Sequence, residues 1–582
     1  MDAKGYLLTQ VLGNVRLEIP PWQRRYSWKE DNWEALWRSL QEVSDGRKVA
    51  PHFLGALVFQ GEKVKSGIVQ HRIIDGQQRM ITLSLVLAAI RRKLAAYPST
   101  AKRQSDVASV TNLLFSPGGS RKDDLKVVPY GPDLEAFWSS VDTLSAGSGQ
   151  IGGAYDFFSK RISPMNEKQL VSLRDGMSGR LFFAVVYLSD KEDANRIFRS
   201  LNESGLTLSP TDHIRNQLFM SAGARGDALY KASWEPLENS LGRELLSFLF
   251  ADLARQPHDA QSLQKNQLHR VYAPKFEALS GKPELVTYIE AVSRHGRLYR
   301  ASRDPSLLDG AGVANSAKIR APLERLAEWG SQPAEVSVLD LLVRYADGQL
   351  QLSEVIRAFH SLESFLVRRF LAGERANLLS RIFTDLVNQF PADGTGTYAV
   401  RLRKALSHPG HSWPTNSQVA RSVTTVLDFY VQGAGSQRKY ILKELNCNLF
   451  DRGRLKRDEI PPNWPADITV EHIMPQTLDA WWKNRLEAER QARGWSESVE
   501  ELHLAHVNAL GNLTLARHDR NDQYGNKSFP EKVALINQEL PIRLNASLGI
   551  GDYSTWGIEA IRKRSADLAG LACRVWEGPS GR

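Results

Sequence analysis

The chain has 582 residues, room for three or four domains at ~150 residues each. Hydrophobic residues at 42% and charged residues at 24% exclude a disordered tail, and only two cysteines, Cys447 and Cys573, exclude a disulfide framework or a double-CxxC zinc knuckle. A formal charge of +10 with a pI near 9.4 favours polyanionic partners, although over this length the excess also suits an ordinary solvated surface.

In chain order, the opening "MDAKGYLLTQVLGN" lacks a cationic leader, and the longest apolar run, "MITLSLVLAAI", is interrupted by Thr82 and Ser84. Neither is a membrane span, so a cytoplasmic protein with no membrane partner is expected. Next, "IPPWQRRYSWKEDNWEALW" places Trp33, Leu36, Trp37 and Leu40 at helical spacing, the pattern of a core stripe. Ahead of that helix, Trp22, Gln23, Arg24, Tyr26 and Trp28 form a Pro-started segment in which aromatics alternate with arginines. Such a segment can stack on nucleic-acid bases or hold a nucleotide, or it can pack inward.

The runs "HFLGALVFQ" and "IVQHRIID" read as strands and "MITLSLVLAAIRRKL" as a helix. At their junction stand Asp75, Gly76, Gln77, Gln78 and Arg79. A helix start offers free N–H groups, Gly76 permits a close turn, and Arg79 can fork onto a phosphate; a plain strand-turn-helix with capping residues is the alternative. "SPGGSRKDD" and "SAGSGQIGG" read as loops and "GRLFFAVVYLSD" as a further strand. In "LNESGLTLSPTDHIRNQLF", Asn202 and Gly205 suggest a turn, and Ser209-Pro210 with Asp212 a capped helix start. The organisation read here is an α+β segment over 1–220, a helical connecting domain over 221–437 ("LSEVIRAFHSLESFLVRRFLAG"), and a segment of short strands and helices over 438–582.

The last segment carries "ITVEHIMPQTL" and then "ALGNLTLARHDRNDQYGNKSF". The order, acidic residue with histidine, then asparagine, then asparagine, is what an HNH or ββα-metal nuclease needs. His472 would activate water, Glu471 and Asn521 would ligate a divalent ion, and Asn512 would hold the loop or the histidine backbone. Oxygen donors suit Mg²⁺ or Mn²⁺ rather than zinc. An isolated Glu-His pair is more often a hydrogen-bonded core histidine. Lys527 and Lys532 are candidates for DNA phosphate contacts or plain surface lysines. His503 and His506 lack a third ligand at zinc spacing and read as structural.

Three motifs, "IPPWQRRYSW", "IDGQQR" and "LNESGLTLS", occur in the order that resembles the N-terminal domain of the GmrSD family of modification-dependent (type IV) restriction enzymes, the domain of unknown function numbered 262. Trp22 stands where the family usually has tyrosine. The resemblance implies a ParB/sulfiredoxin-like fold whose G-x-x-R turn, matched by Gly76 and Arg79, holds nucleotide phosphates. It also implies binding and hydrolysis of an NTP (GTP, UTP or similar), with Asp75, Gln78 and Arg79 carried over and Asp75 and Arg79 catalytic. The C-terminal motifs resemble the same family's HNH domain, the domain of unknown function numbered 1524, through Glu471, His472, Pro475, Gln476, Gly511, Asn512, Asn521, Phe529 and Lys532; Ala516 replaces a larger apolar residue. The expectation is an α+β multidomain, NTP-dependent endonuclease or nickase acting on modified double-stranded phage DNA. A non-cleaving, nucleotide-switched DNA-binding protein and a toxin-like ribonuclease remain alternatives, and a homo-oligomer is left open.

Overall fold

The computed structural model describes the chain except residues 1, 45–50, 66, 144–146, 189–208, 257–262, 387–395, 426–427, 451–467, 518–523, 537–543, 545–552 and 581–582. Asn202, Gly205 and Asn521 lie outside the described residues. The architecture is mixed α+β and mostly helical, in two compact units: Met1–Gly242 with Lys265–Glu290, and Arg243–Gln264 with Ala291–Arg582.

The first unit holds a six-stranded mixed sheet of β1 (Asp2–Leu7), β2 (Val15–Glu18), β3 (His52–Lys65), β4 (Ile68–Asp75), β5 (Val127–Val128) and β6 (Leu181–Leu188), ordered β1-β6-β3-β4-β2-β5. β3 and β4, the two runs read as strands, pair antiparallel, and β3 pairs parallel with β6. The helix Gln77–Ala95 follows β4 and buries fourteen of its nineteen residues, so it is apolar nearly all round, as a central helix must be. The helix Glu30–Ser44 buries Trp33, Leu36, Trp37 and Leu40 against the same core, as their spacing predicts. The reading of "SAGSGQIGG" as a loop fails in its second half. A helix begins at Gly149 and runs to Ile162, because Ile151, Ala154, Tyr155 and Phe158 give it a buried face that the small residues before them obscure.

In the second unit the helix Leu352–Leu371 is central. Its Glu363 is buried and accepts hydrogen bonds from Arg325 Nε (3.0 Å), Tyr440 Oη (2.7 Å) and Trp576 Nε1 (2.8 Å), while Arg368 donates to the Trp576 carbonyl at 2.6 Å. Paired buried charges of this kind fix which helices meet, because leaving either partner alone is costly. The same unit contains the antiparallel pair β7 (Ile468–His472) and β8 (Leu513–Arg517), with helices Ala480–Arg493 and Val499–His506 between them and Phe529–Ile536 and Ile558–Val575 after. No helix among the described residues is long and apolar enough to cross a membrane.

Candidate active site

β7 ends in Glu471 and His472, and adjacent strand residues point to opposite faces. His472 turns inward and is 7% exposed. Its Nε2 lies 3.3 Å from Asn508 Oδ1, and its ring meets the Tyr430 ring at 4.4 Å and 67°. Burial pushes the imidazole down to about 4; the Asn508 contact works against this shift, and the charges of Lys532 and His503 add to it. The ring is therefore neutral at pH 7, with a lone pair available to accept a proton.

The turn after His472 is locked by Asn512, which is fully buried and uses its whole amide. Oδ1 accepts from the Met474 N–H (2.8 Å) and Trp556 Nε1 (3.2 Å), and Nδ2 donates to the carbonyls of Met474 and Val507, both at 2.8 Å. Asn512 thus holds the loop, one of the two tasks expected of it, and does not touch the imidazole. Gly511 is required by close approach: a Cβ there would lie 2.1 Å from the Ile561 carbonyl oxygen. Arg564, fully buried and pushed down to about 10 by that burial, donates to the Gly511 and Leu513 carbonyls at 2.7 Å.

Lys532 is 0% exposed, which corrects its reading as a DNA-phosphate contact. Its Nζ donates to Glu471 Oε1 at 2.9 Å and to the His472 carbonyl at 2.7 Å. Burial lowers its pKa while Glu471 opposes the shift. The same pair bears on Glu471 as a metal ligand. A divalent ion bound to this carboxylate would share it with the buried ammonium, which holds Oε1. Among the described residues no group of three or more His, Cys, Asp or Glu converges on a cation position. The described donors alone do not make up a site for a hard divalent ion; Asn521, the other expected ligand, lies outside them. His503 Nε2 donates to the Pro475 carbonyl (2.8 Å), and His506 donates from Nδ1 to the Leu502 carbonyl (2.8 Å) and accepts at Nε2 from Arg562 Nε (3.0 Å). Lys527 is exposed.

In the first unit, Gly76 adopts φ 94° at the start of its helix, and a Cβ there would strike Leu57 at 2.2 Å. Asp75 and Arg79 pair at 3.5 Å with about a fifth of each side chain exposed (21%). Burial raises the Asp75 pKa, with Arg79, the Gly76 N–H and Arg24 opposing it. Arg79 also donates to the Leu54 carbonyl (2.9 Å), Gln78 bridges the Ser27 N–H (2.8 Å) and the Arg25 carbonyl, and Gln77 donates to Gln23, which donates to the Ile74 carbonyl (3.0 Å). These glutamines bind β4 and the following helix to the segment before them, so they are braces as the structure stands. Arg24 Nε is buried without a partner. A cavity of about 350 Å³ opens beside it, lined by Pro20, Arg25, Tyr130, Asp133 and Asp212. Ser209 caps the helix Pro210–Ser221 by accepting from the Asp212 N–H, as its sequence predicts.

The aromatic segment folds inward, which corrects Trp22 and Tyr26 as exposed stacking residues. Trp22 is 2% exposed with Nε1 donating to Asp227 Oδ1 (3.2 Å); Tyr26 is 6% exposed, its hydroxyl joined to Thr82 Oγ1 (2.8 Å) and Trp33 Nε1 (2.9 Å). Burial raises the Tyr26 pKa well above the usual phenol range. Trp28 is half-buried against the same core.

The model of the GmrSD restriction endonuclease N-terminal domain matches residues 8–219, and that of the GmrSD restriction endonuclease C-terminal domain matches residues 413–571. The chain belongs to the GmrSD restriction endonuclease family. No curated protein matches it. The GmrSD C-terminal match takes in Tyr430, Asn508 and Arg564, three residues that surround His472 or its loop and that spacing alone did not single out. Asn508 stands four positions before Asn512 in "VNALGN" with nothing in its neighbourhood to set it apart, and Tyr430 comes from a segment read as connector. Arg564 lies on a helix where arginine ordinarily faces water.

Proposed function

We propose that this GmrSD-family endonuclease cleaves DNA by phosphodiester hydrolysis at His472, and that it is NTP-dependent and directed at modified foreign DNA such as that of phages. The observation that carries the reading is a buried imidazole at the end of β7 whose ring is braced by Asn508 and Tyr430 and whose following loop is clamped by Asn512. Water attacks phosphorus while its proton passes to His472; the bond from phosphorus to the leaving oxygen breaks, and that oxygen takes a proton from solvent. This is HNH-type chemistry, and its ββα-metal architecture is part of the proposal.

The N-terminal unit is proposed to bind and hydrolyse an NTP near Asp75–Arg79 on a ParB-like frame. In support, Gly76 opens a long helix in the left-handed region, Asp75 and Arg79 keep a partly exposed edge, and Arg24 holds an unused N–H beside a cavity. A guanidinium near a helix start is the recurring means of holding phosphate.

The deciding experiment digests unmodified, hydroxymethylated, glucosylated and phosphorothioate plasmids, and RNA in parallel, with and without each NTP and with Mg²⁺, Mn²⁺ or chelator. His472→Ala is expected to lose at least a hundredfold in cleavage while NTP turnover stays within twofold. Cleavage by that variant at the wild-type rate removes His472 from the chemistry, and digestion of RNA alone replaces the substrate class.

A further inference from the structure

Trp481 and Trp482 sit side by side in the first turn of the helix Ala480–Arg493, yet only one of them is covered. Trp482 is fully buried in the core that also takes in Ile473 and Met474, the two residues after His472, and its Nε1 donates to the Lys527 carbonyl at 3.1 Å. Trp481 stays 37% exposed and meets the Trp482 ring edge to face, centroids 4.9 Å apart at 82°. An exposed indole offers a wide flat face that suits a contact with another molecule. Lys527 is exposed as well, and its carbonyl ties it to the same Trp482. Just beyond it the helix Phe529–Ile536 begins, whose Lys532 grips Glu471 and the His472 carbonyl. The acidic groups nearby are occupied. Glu531 accepts from the Ser528 N–H (2.9 Å), Asp479 accepts from the Trp482 N–H (2.9 Å), and Glu500 faces Lys483 at 3.8 Å.

We propose that Trp481 and Lys527 form a DNA-docking edge on the core that carries the loop after His472: Lys527 holds a phosphate, and the Trp481 indole packs on the sugar edge of the same backbone, whatever the base sequence. The inference rests on the reading of the second unit as a DNA endonuclease. The occupant is a DNA backbone rather than an apolar protein face because exposed lysines stand on either side of the ring, Lys483 two residues along the helix and Lys527 across Trp482. A chain of net charge +10 also attracts polyanions, and contacts to phosphate and sugar position a duplex without reading its sequence. Position is what such an edge supplies. Both residues are anchored through Trp482 to the core of Ile473 and Met474, so a strand held there keeps a fixed place relative to the end of β7.

Binding by the full chain is measured by fluorescence anisotropy with a short fluorescein-labelled DNA duplex, unmodified and hydroxymethylated, in chelator so that the probe stays whole. Each contact has its own signature. Removing a lysine that neutralises one phosphate makes the dependence of log Kd on log salt shallower by about 0.9, whereas removing an indole weakens binding and leaves that slope alone. Lys527→Gln is expected to show the shallower slope. Trp481→Ala is expected to raise Kd about tenfold with the wild-type slope, and Trp481→Phe, which keeps a flat ring, to recover most of that loss. All three should melt as the wild type does, since both positions are exposed. Wild-type affinity in Trp481→Ala, or a wild-type salt slope in Lys527→Gln, overturns the proposal. So does a change of oligomeric state in Trp481→Ala by sedimentation, which would make this face a contact between copies of the chain. If Trp481→Ala fails to fold, the slope of Lys527→Gln still decides. A wild type that binds no duplex sinks the DNA reading together with this inference; wild-type binding that both Trp481→Ala and Lys527→Gln retain in full sinks this inference alone.

Discussion

His472 keeps its lone pair at neutral pH chiefly because burial resists the charged form. The unfolded chain takes up that proton near the ordinary histidine value of about 6.5, the folded one only near about 4. The unfolded state thus binds more protons between these values, so this group's contribution to stability is complete above the upper one and is lost as pH falls toward the lower. Urea midpoints from pH 7 to 4 should fall more steeply in the wild type than in His472→Gln. Lys532 offers a second test at the same scale. Lys532→Met removes the buried ammonium from Glu471 and the His472 carbonyl, and a loss of about 3 kcal/mol in urea unfolding is expected. Adding Glu471→Gln should recover at least about 1 kcal/mol, because the two side chains act on each other. Full additivity in that cycle would mean the pair contributes nothing.

Among the elements, β7, β8 and the helix Ile558–Val575 meet at Gly511, where a methyl group has no room beside Ile561 and Ser565. Gly511→Ala should lower the melting temperature of the second unit by several degrees, roughly 2–3 kcal/mol, and reduce cleavage with it. Tyr26→Phe, by contrast, removes a hydroxyl shared by Thr82 and Trp33; a loss of about 1–2 kcal/mol with unchanged affinity for modified DNA is expected, whereas weakened DNA binding at full stability would restore the stacking role. These elements were legible to different degrees. β3, β4 and the helix Gln77–Ala95 follow from alternation and apolar content, and the Ser209 cap from its residue type. What was not legible is direction. Nothing local says that Trp22 turns to Asp227, that Lys532 is drawn under Glu471, or that Asn508 rather than Asn512 reaches the imidazole, since each depends on partners far along the chain.

At the scale of the whole molecule, each unit has its own core, and of the two family-model matches one takes in the sheet and the other the His472 strand pair. Asp75→Ala tests whether the two act together: NTP turnover is expected to drop at least tenfold, and a parallel fall in cleavage would establish the linkage, while undiminished cleavage would separate the activities. The tail carries a further consequence. Residues Trp576–Pro579 close over the helices Leu352–Leu371 and Tyr398–Leu406, with the Glu577 carbonyl accepting from Ser364 Oγ at 2.6 Å and the Pro579 carbonyl from Arg403 Nε at 3.3 Å. Without the Trp576 indole, Glu363 would be one donor short in the middle of a helical layer, and the second unit would lose the tie between this segment and its central helix.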